Sequence, residues 1–511
     1  MTKKSIIASA AILTLAGIIT RLLGFVYRIY MSNLIGAEGM GLYQLIMPVY
    51  ALAWSLSCSG FTTTLSKLTA QEKAKGQYGN MSRFLNYSIV ITSLIGMVIG
   101  VALFFFSEAI ATYIFKEPRI ILSLKILAFS FPFMAAGSCV RGYFFGLHEA
   151  SIPAVSQVFE QFVRMFFIYM LASTLMPLGI EYAAAAAVIG IVAGEILSFL
   201  YVIYAYSDFK KKNTAFNKPS ITSSKSLTTL VAMSMPLTLN RVSGSLLSTV
   251  ENVLIPRRLM VYGLSNTEAI SEFGKITGMA MPLIQFPSVI LVSLAISLVP
   301  AISEAMAVKN YKKINFTVSK TMLFTTVIGI GASGAFILFA DMLGYVIYNQ
   351  DISRMLLYLG ILSPFLYMQM VLSGVLNGLG EQVFIFRNGL ISSVISISFI
   401  YFAVPVLGIS GFILGWFISL LVLCTLNLER IKKIANIEID PINWFFKPIV
   451  SVTVSFFAIG LVKNYIYNTL GDILGLIVSV TLMGVMYLAL IVFTGCVNKN
   501  DFKVLKRGSK S

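Results

Sequence analysis

Apolar residues run through this chain in long unbroken stretches separated by short polar connections. The first stretch, residues 6–33, is almost wholly apolar over about 28 positions, yet it holds Arg21 and Arg28. A helix rises about 1.5 Å per residue, so a run of this length spans a bilayer. Comparable runs begin near Ile6, Gly41, Phe84, Ile120, Ile152, Ala183, Leu227, Ile276, Thr321, Leu356, Phe384, Gly408, Trp444 and Gly471. The pattern predicts an all-α polytopic membrane protein of about fourteen transmembrane helices.

An internal repeat organises these helices. Pro132, Phe133, Gly142, Gly146, Leu147 and Glu149 in the fourth run reappear in the tenth as Pro364, Phe365, Gly374, Gly378, Leu379 and Glu381. The offset is constant at about 232 positions. The first and seventh runs echo each other more weakly, as Arg21 to Gly24 and Arg241 to Gly244. Six spans restore the orientation of the chain, so the reading is two parallel six-helix lobes related by pseudo-two-fold symmetry, plus two C-terminal helices. The expected divisions are an N-lobe at 1–206, a basic linker at 207–225, a C-lobe at 226–428, a second linker at 429–443, the last two helices at 444–497 and a basic tail at 498–511. Two such bundles enclose a cavity and alternate access by rocking.

Composition agrees: 57% of the residues are hydrophobic and 12% are charged. The formal charge of +17 would suggest nucleic acid in a soluble chain. Here the basic residues alternate between connections. Lys3, Lys4, Lys67, Lys73, Lys75, Arg83, Lys210 to Lys212, Lys309, Lys312, Lys313, Arg430, Lys432 and Lys433 fall on one side, with Lys116, Arg119, Arg257, Arg258, Lys275 and Arg354 on the other. The positive-inside rule then places both termini in the cytoplasm and accounts for the charge without nucleic acid. Cys58, Cys139, Cys424 and Cys496 are scattered through apolar runs and His148 is the only histidine, so no metal site is expected. No long loop carries a set of carboxylates, and no enzyme is expected.

The embedded charges are the candidate chemistry. An arginine at the centre of a span costs about 2.5–3.5 kcal/mol on insertion scales, so it persists where it faces water, a partner or an anion. Arg21, with Gly17, Gly24 and Arg28 on its face, and Arg241 in the seventh run are read as a cationic surface for phosphate or pyrophosphate. Glu160 and Arg164 stand four apart on the fifth span, as an ion pair that a substrate or a coupling proton could displace. Glu195 and Glu251 are embedded acids able to play the same part. Lys67 and Arg141, near cytoplasmic ends, are read as anchors or ligands. Gly36, Gly39 and Gly41, and Pro282, Pro287 and Pro300, are backbone devices that bend helices.

The runs Thr20-Arg21-Leu22-Leu23-Gly24-Phe25-Val26-Tyr27-Arg28 and Gly36-Ala37-Glu38-Gly39-Met40-Gly41-Leu42-Tyr43, with Ile255-Pro256-Arg257-Arg258-Leu259 and the stretch from Phe286-Pro287-Ser288 to Leu298-Val299-Pro300, resemble the stage V sporulation protein B and polysaccharide-exporter branch of the MOP superfamily. The resemblance implies a flippase that moves undecaprenyl-pyrophosphate-linked sugars outward, with lipid II of peptidoglycan leading. The first-span cavity arginine of the MurJ-type lipid II flippases matches Arg21. Their second one falls on Tyr27, with Arg28 one place along. An arginine pair of their second span has no match between Pro48 and Gly60, and another arginine falls on Pro282. The glycan is therefore open, and a flippase for another lipid-linked repeat, a cation-coupled drug exporter and a non-transporting scaffold remain alternatives. The expected partners are the lipid-linked glycan, membrane lipids and cell-wall synthases, with no cofactor beyond the membrane potential or a coupling ion.

Overall fold

In hydrocarbon a backbone must satisfy its own hydrogen bonds, and each apolar run of this chain is helical. The computed structural model describes residues 3–212, 220–437 and 440–497, with side chains from residue 15 onward apart from 293, 296 and 297. Among these residues there is no strand. The basic tail at 498–511 and parts of both linkers lie outside them.

The chain divides into two compact units, Met1–Gly274 and Lys275–Ser511. The first holds α1 (Lys3–Ser57), α2 (Ser59–Ala74), α3 (Tyr78–Ala109), α4 (Ile121–Ala128), α5 (Phe131–Leu147), α6 (Ser151–Leu175), α7 (Ile180–Lys212), α8 (Ser223–Tyr262) and α9 (Asn266–Gly274). The second opens with α10 (Met281–Gln285), α11 (Ser288–Ala307), α12 (Tyr311–Leu338), α13 (Ala340–Tyr348) and α14 (Ser353–Gly378). It continues with α15 (Gln382–Phe402), α16 (Val404–Leu407), α17 (Ile409–Ala435), α18 (Lys447–Leu470) and α19 (Asp472–Phe493).

Helices cover all fourteen expected starts. Among the described residues, ten helices are long and apolar enough to cross a membrane, or eleven if the pair Pro118–Ala128 and Phe131–Leu147, bent by 49°, is one span. Three features explain the lower number. The 43-residue segment Leu15–Ser57 is about twice a bilayer thickness. It is interrupted at Gly36, whose φ of 68° and ψ of −174° are open to glycine alone, and about 30 Å of helix lies on either side. α8 is long enough but carries Arg241, Glu251, Arg257 and Arg258 among many hydroxyl side chains. The 276–307 run is broken, with Pro282 in the first turn of α10, Pro287 capping α11 and Pro300 inside it.

The repeat has a packing meaning. In the first unit Leu65 of α2, Met81 and Phe84 of α3, and Val140 and Phe144 of α5 form the core. In the second, Ile314 and Met322 of α12 pack with Val371 and Val375 of α14. Gly142 and Gly146 let α5 meet the α2 backbone: β-carbons there would sit 2.6 Å from the Thr62 carbonyl oxygen and 2.4 Å from that of Ser66. Gly374 and Gly378 do the same for α14 on α11, at 3.0 Å from the Ala295 carbonyl oxygen and 3.1 Å from that of Val299. The last helix is tied down by Tyr487, whose hydroxyl donates to the Val327 carbonyl at 2.8 Å.

The corner after Gly36 is clasped by α9. Arg119 bonds both Glu38 and the buried Glu117, and Glu117 also accepts from Asn266 at 2.8 Å. Behind this cluster a β-carbon on Gly274 would lie 2.0 Å from the Ala37 carbonyl oxygen. Gly274→Ala should therefore force α9 off α1 and destabilise the protein by about 1–3 kcal/mol. Gly244→Ala, with nothing within 4 Å of the new methyl, should be neutral or slightly stabilising. Thermal unfolding of the purified variants checks the pair; equal midpoints would contradict the close α1–α9 approach.

Candidate substrate site and buried charge network

Four ionisable side chains of the first unit meet where α5, α6 and α7 cross. Arg164 bonds Glu160 one turn below it on α6 and approaches Glu195 of α7 at 3.5 Å. Arg141 of α5 lies 3.9 Å from Glu160 and donates to Ser138 and Ser198 at 3.0 and 3.3 Å. Tyr50 of α1 donates to Glu195, and Ser156 bonds Ser198 at 3.2 Å. Two positive and two negative charges make the cluster neutral, which is what allows it to persist away from water. Glycine brings the elements close: a β-carbon on Gly194 would lie 3.0 Å from the Arg164 side chain.

The cluster is not fully satisfied. Glu195 is only 3% exposed, yet its Oε2 has no hydrogen-bond partner among the described residues, and neither does Nε of Arg164. Tyr27, buried and within electrostatic reach of Tyr43 and Arg164, also leaves its hydroxyl unbonded. Glu195 Oε2 can accept from a water or take a proton, and Arg164 Nε can donate to a water, without new folding.

Beside this neutral cluster lie unneutralised cations. α1 passes α6 where Gly24 faces Gln161, 4.0 Å from a β-carbon placed on Gly24. Arg21, one turn before, is exposed, Arg28, one turn after, is half-buried, and neither makes an ion pair or hydrogen bond among the described residues. Arg241 of α8 is exposed; its guanidinium lies 5.5 Å from the Trp54 ring and donates to Thr63 at 3.2 Å. That engages Arg241 with α1 and α2 and leaves it without a carboxylate. Lys67 is exposed on α2, and Glu251 is half-buried on α8.

Sequence reading found the Glu160–Arg164 pair from its spacing. It gave Arg141 as an anchor or ligand near a helix end and did not join Arg141, Glu195 and Tyr50 to the pair, because their contacts cross four helices. The repeat held a partial signal. Ser156 and Asn388 are separated by the same offset, and Ser198 and Asn427 lie equally far past Gly179 and Gly408, which open α7 and α17. In the second unit Asn388 donates to Asn427 and Asn427 to Gln369, each at 2.9 Å, a neutral version of the Ser156–Ser198–Arg141 crossing. Ser392, Ser396 and Cys424 stand where the first unit has Glu160, Arg164 and Glu195. Among the described residues the carboxylates of these two crossings belong to the first; in the second, Arg387 donates to the Asn388 oxygen at 3.4 Å.

These features define a multi-pass α-helical membrane protein with a charged polar crossing in one repeat. The sequence pattern of the polysaccharide biosynthesis protein family matches residues 6–306 and that of MatE matches residues 276–402; the chain belongs to the polysaccharide biosynthesis protein family. Stage V sporulation protein B of Bacillus subtilis (strain 168) is 29% identical over 98% of both chains. Lipid II flippase MurJ of the same organism is 25% identical over 61% of this chain and 60% of its own length. A solved structure of lipid II flippase MurJ in an inward closed conformation shares the fold, with a TM-score of 0.69 and 16% identity over 94% of this chain and 98% of that one.

Arg164→Leu leaves Glu160 and Glu195 close together without their shared cation, and should destabilise the protein by about 3–5 kcal/mol. Arg21→Ala removes a side chain that makes no ion pair or hydrogen bond among the described residues and should stay within about 0.5 kcal/mol of wild type. Thermal unfolding in one detergent compares them. A loss for Arg21→Ala as large as for Arg164→Leu would show that Arg21 is structural.

Proposed function

We propose that the protein is an alternating-access flippase, not an enzyme, that carries an undecaprenyl-pyrophosphate-linked cell-wall precursor from the inner to the outer leaflet, with lipid II as the leading substrate. The observation that carries this reading is Arg21: an exposed arginine inside an apolar span, with Arg28 on the same helix and, among the described residues, no carboxylate paired with either. A pyrophosphate supplies the missing negative charge through charge-assisted hydrogen bonds, and the polyprenyl chain stays in lipid. The neighbouring network is already neutral, so Glu160 and Arg164 hold each other while Arg21 and Arg28 stay available. Arg241, with Lys67 and Glu251, completes the set we assign to substrate handling. The similarity to a lipid II flippase supports the class of substrate.

In this reading the repeat lobes are 1–206 and 226–428, both termini lie in the cytoplasm of a bacterial plasma membrane, and cell-wall synthases use the product. Moving negative charge out of a negative cytoplasm is favoured by about 2.3 kcal/mol per charge per 100 mV. The potential therefore biases export, and the unbonded Glu195 oxygen offers a place for a coupling proton.

The test is binding of purified protein to lipid II, to undecaprenyl pyrophosphate and to an unrelated lipid-linked glycan. Lipid II should bind best, and Arg21→Ala should weaken it more than tenfold, about 1.4 kcal/mol. Equal binding of all three would make the pyrophosphate the recognised part and admit another lipid-linked repeat as substrate. Unchanged binding in Arg21→Ala would overturn the headgroup site.

A further inference from the structure

Arg241 stands in the middle of a seam that holds α8 on the rest of the first unit. Just before α8 begins, the backbone N–H groups of Ser220 and Ile221 donate to the side-chain oxygen of Asn80, on α3, at 2.9 and 3.2 Å. Near its other end, Arg257 donates to the Tyr113 carbonyl at 2.6 Å. Between these ends the hydroxyls of Ser245 and Ser55, on α1, lie 2.6 Å apart in a hydrogen bond. Gly60 of α2 meets α8 with no room for a side chain: a β-carbon there would clash with the Ser234 carbonyl oxygen and the Thr238 hydroxyl.

Within this seam Arg241 sets a full charge on neutral partners. The Thr63 hydroxyl directs its proton back to the Ser59 carbonyl at 3.4 Å, which leaves its oxygen to accept from Arg241. The half-buried Trp54 ring adds a cation–π contact. Both are weak holds for an exposed guanidinium, whose bonds to a phosphate are about twice as strong as those to a neutral acceptor. Lys67 is exposed one turn beyond Thr63 on the same face of α2, and makes no ion pair or hydrogen bond among the described residues. An anion held at Lys67 therefore arrives within one helical turn of the group that holds Arg241. We propose that Trp54 and Thr63 are the resting place of Arg241, that an anionic headgroup draws the guanidinium away from them, and that this move unfastens the middle of the α8 seam. Trp54 and Thr63 are then positioning residues, which act through Arg241 and withhold it until an anion competes. The class of ligand, a polyprenyl pyrophosphate, rests on the function proposed above; the seam and its neutral partners do not.

Disulfide cross-linking of the full chain carrying Ser55→Cys and Ser245→Cys reads the state of the seam. The pair should cross-link readily, undecaprenyl pyrophosphate should slow the reaction at least fivefold, and undecaprenol, which lacks the anion, should leave it unchanged. Arg241→Gln in the same background should still cross-link, which reports on folding, and should lose the response to the lipid. Thr63→Val and Trp54→Leu should each bind undecaprenyl pyrophosphate at least threefold more tightly than wild type, because no latch has to open first. A purely structural role for the two residues gives unchanged or weaker binding, and that result would overturn the latch. So would a pair that does not cross-link, lipid binding that leaves the rate unchanged, or slowing that survives Arg241→Gln. Equal slowing by phosphatidylglycerol would overturn the assignment to the carrier headgroup. A response that depends on Arg241 while Arg21→Ala binds lipid II like wild type leaves the latch standing and removes the headgroup site at Arg21; the reverse pattern sinks the latch alone.

Discussion

Ionic groups inside a membrane must be neutralised, hydrated or used, and that constraint organises the first unit. Arg141, Glu160, Arg164 and Glu195 satisfy it by pairing across α5, α6 and α7, with Tyr50 tying α1 into the same cluster. Removing Arg164 leaves Glu195 without a cation within 4 Å among the described residues, which makes the crossing a fixed point of the fold. Arg21 and Arg28 are the contrast. They stand on the adjacent face of α1 with their charge unspent, and an anionic headgroup can take it up without dismantling the network.

The same constraint gives meaning to the repeat. Both units bring three helices together at a polar crossing and use paired glycines to seat the central helix on its neighbour's backbone. In the second unit the crossing is a chain of amides, Asn388, Asn427 and Gln369, with Arg387 donating to Asn388 at 3.4 Å. In the first it holds three ion-pair contacts, Arg141–Glu160, Arg164–Glu160 and Arg164–Glu195.

The sequence made the helices legible because burial in lipid leaves a long, uninterrupted signal. It also revealed the repeat, whose glycines proved to be contact points, and the Glu160–Arg164 pair, which lies within one helix. The lower number of apolar spans came from Gly36, from the polar content of α8 and from the prolines of the 276–307 run, where local composition departs from a simple lipid-facing pattern. Arg141, Glu195 and Tyr50 stayed hidden as partners because their contacts join residues up to 145 positions apart. Arg257 looked like a flanking basic residue. Its relation to Tyr113 depends on how α8 packs, which no local pattern encodes.

The central claim is that the charge of Arg21 carries the headgroup during transport. The direct measurement is outward movement of lipid II in sealed vesicles reconstituted with wild type or Arg21→Glu, under a potential negative on the cytoplasmic face, scored by the appearance of the headgroup on the opposite leaflet. The account predicts movement by wild type and near-complete loss in Arg21→Glu, with the fold intact. Equal movement by the two proteins would contradict it.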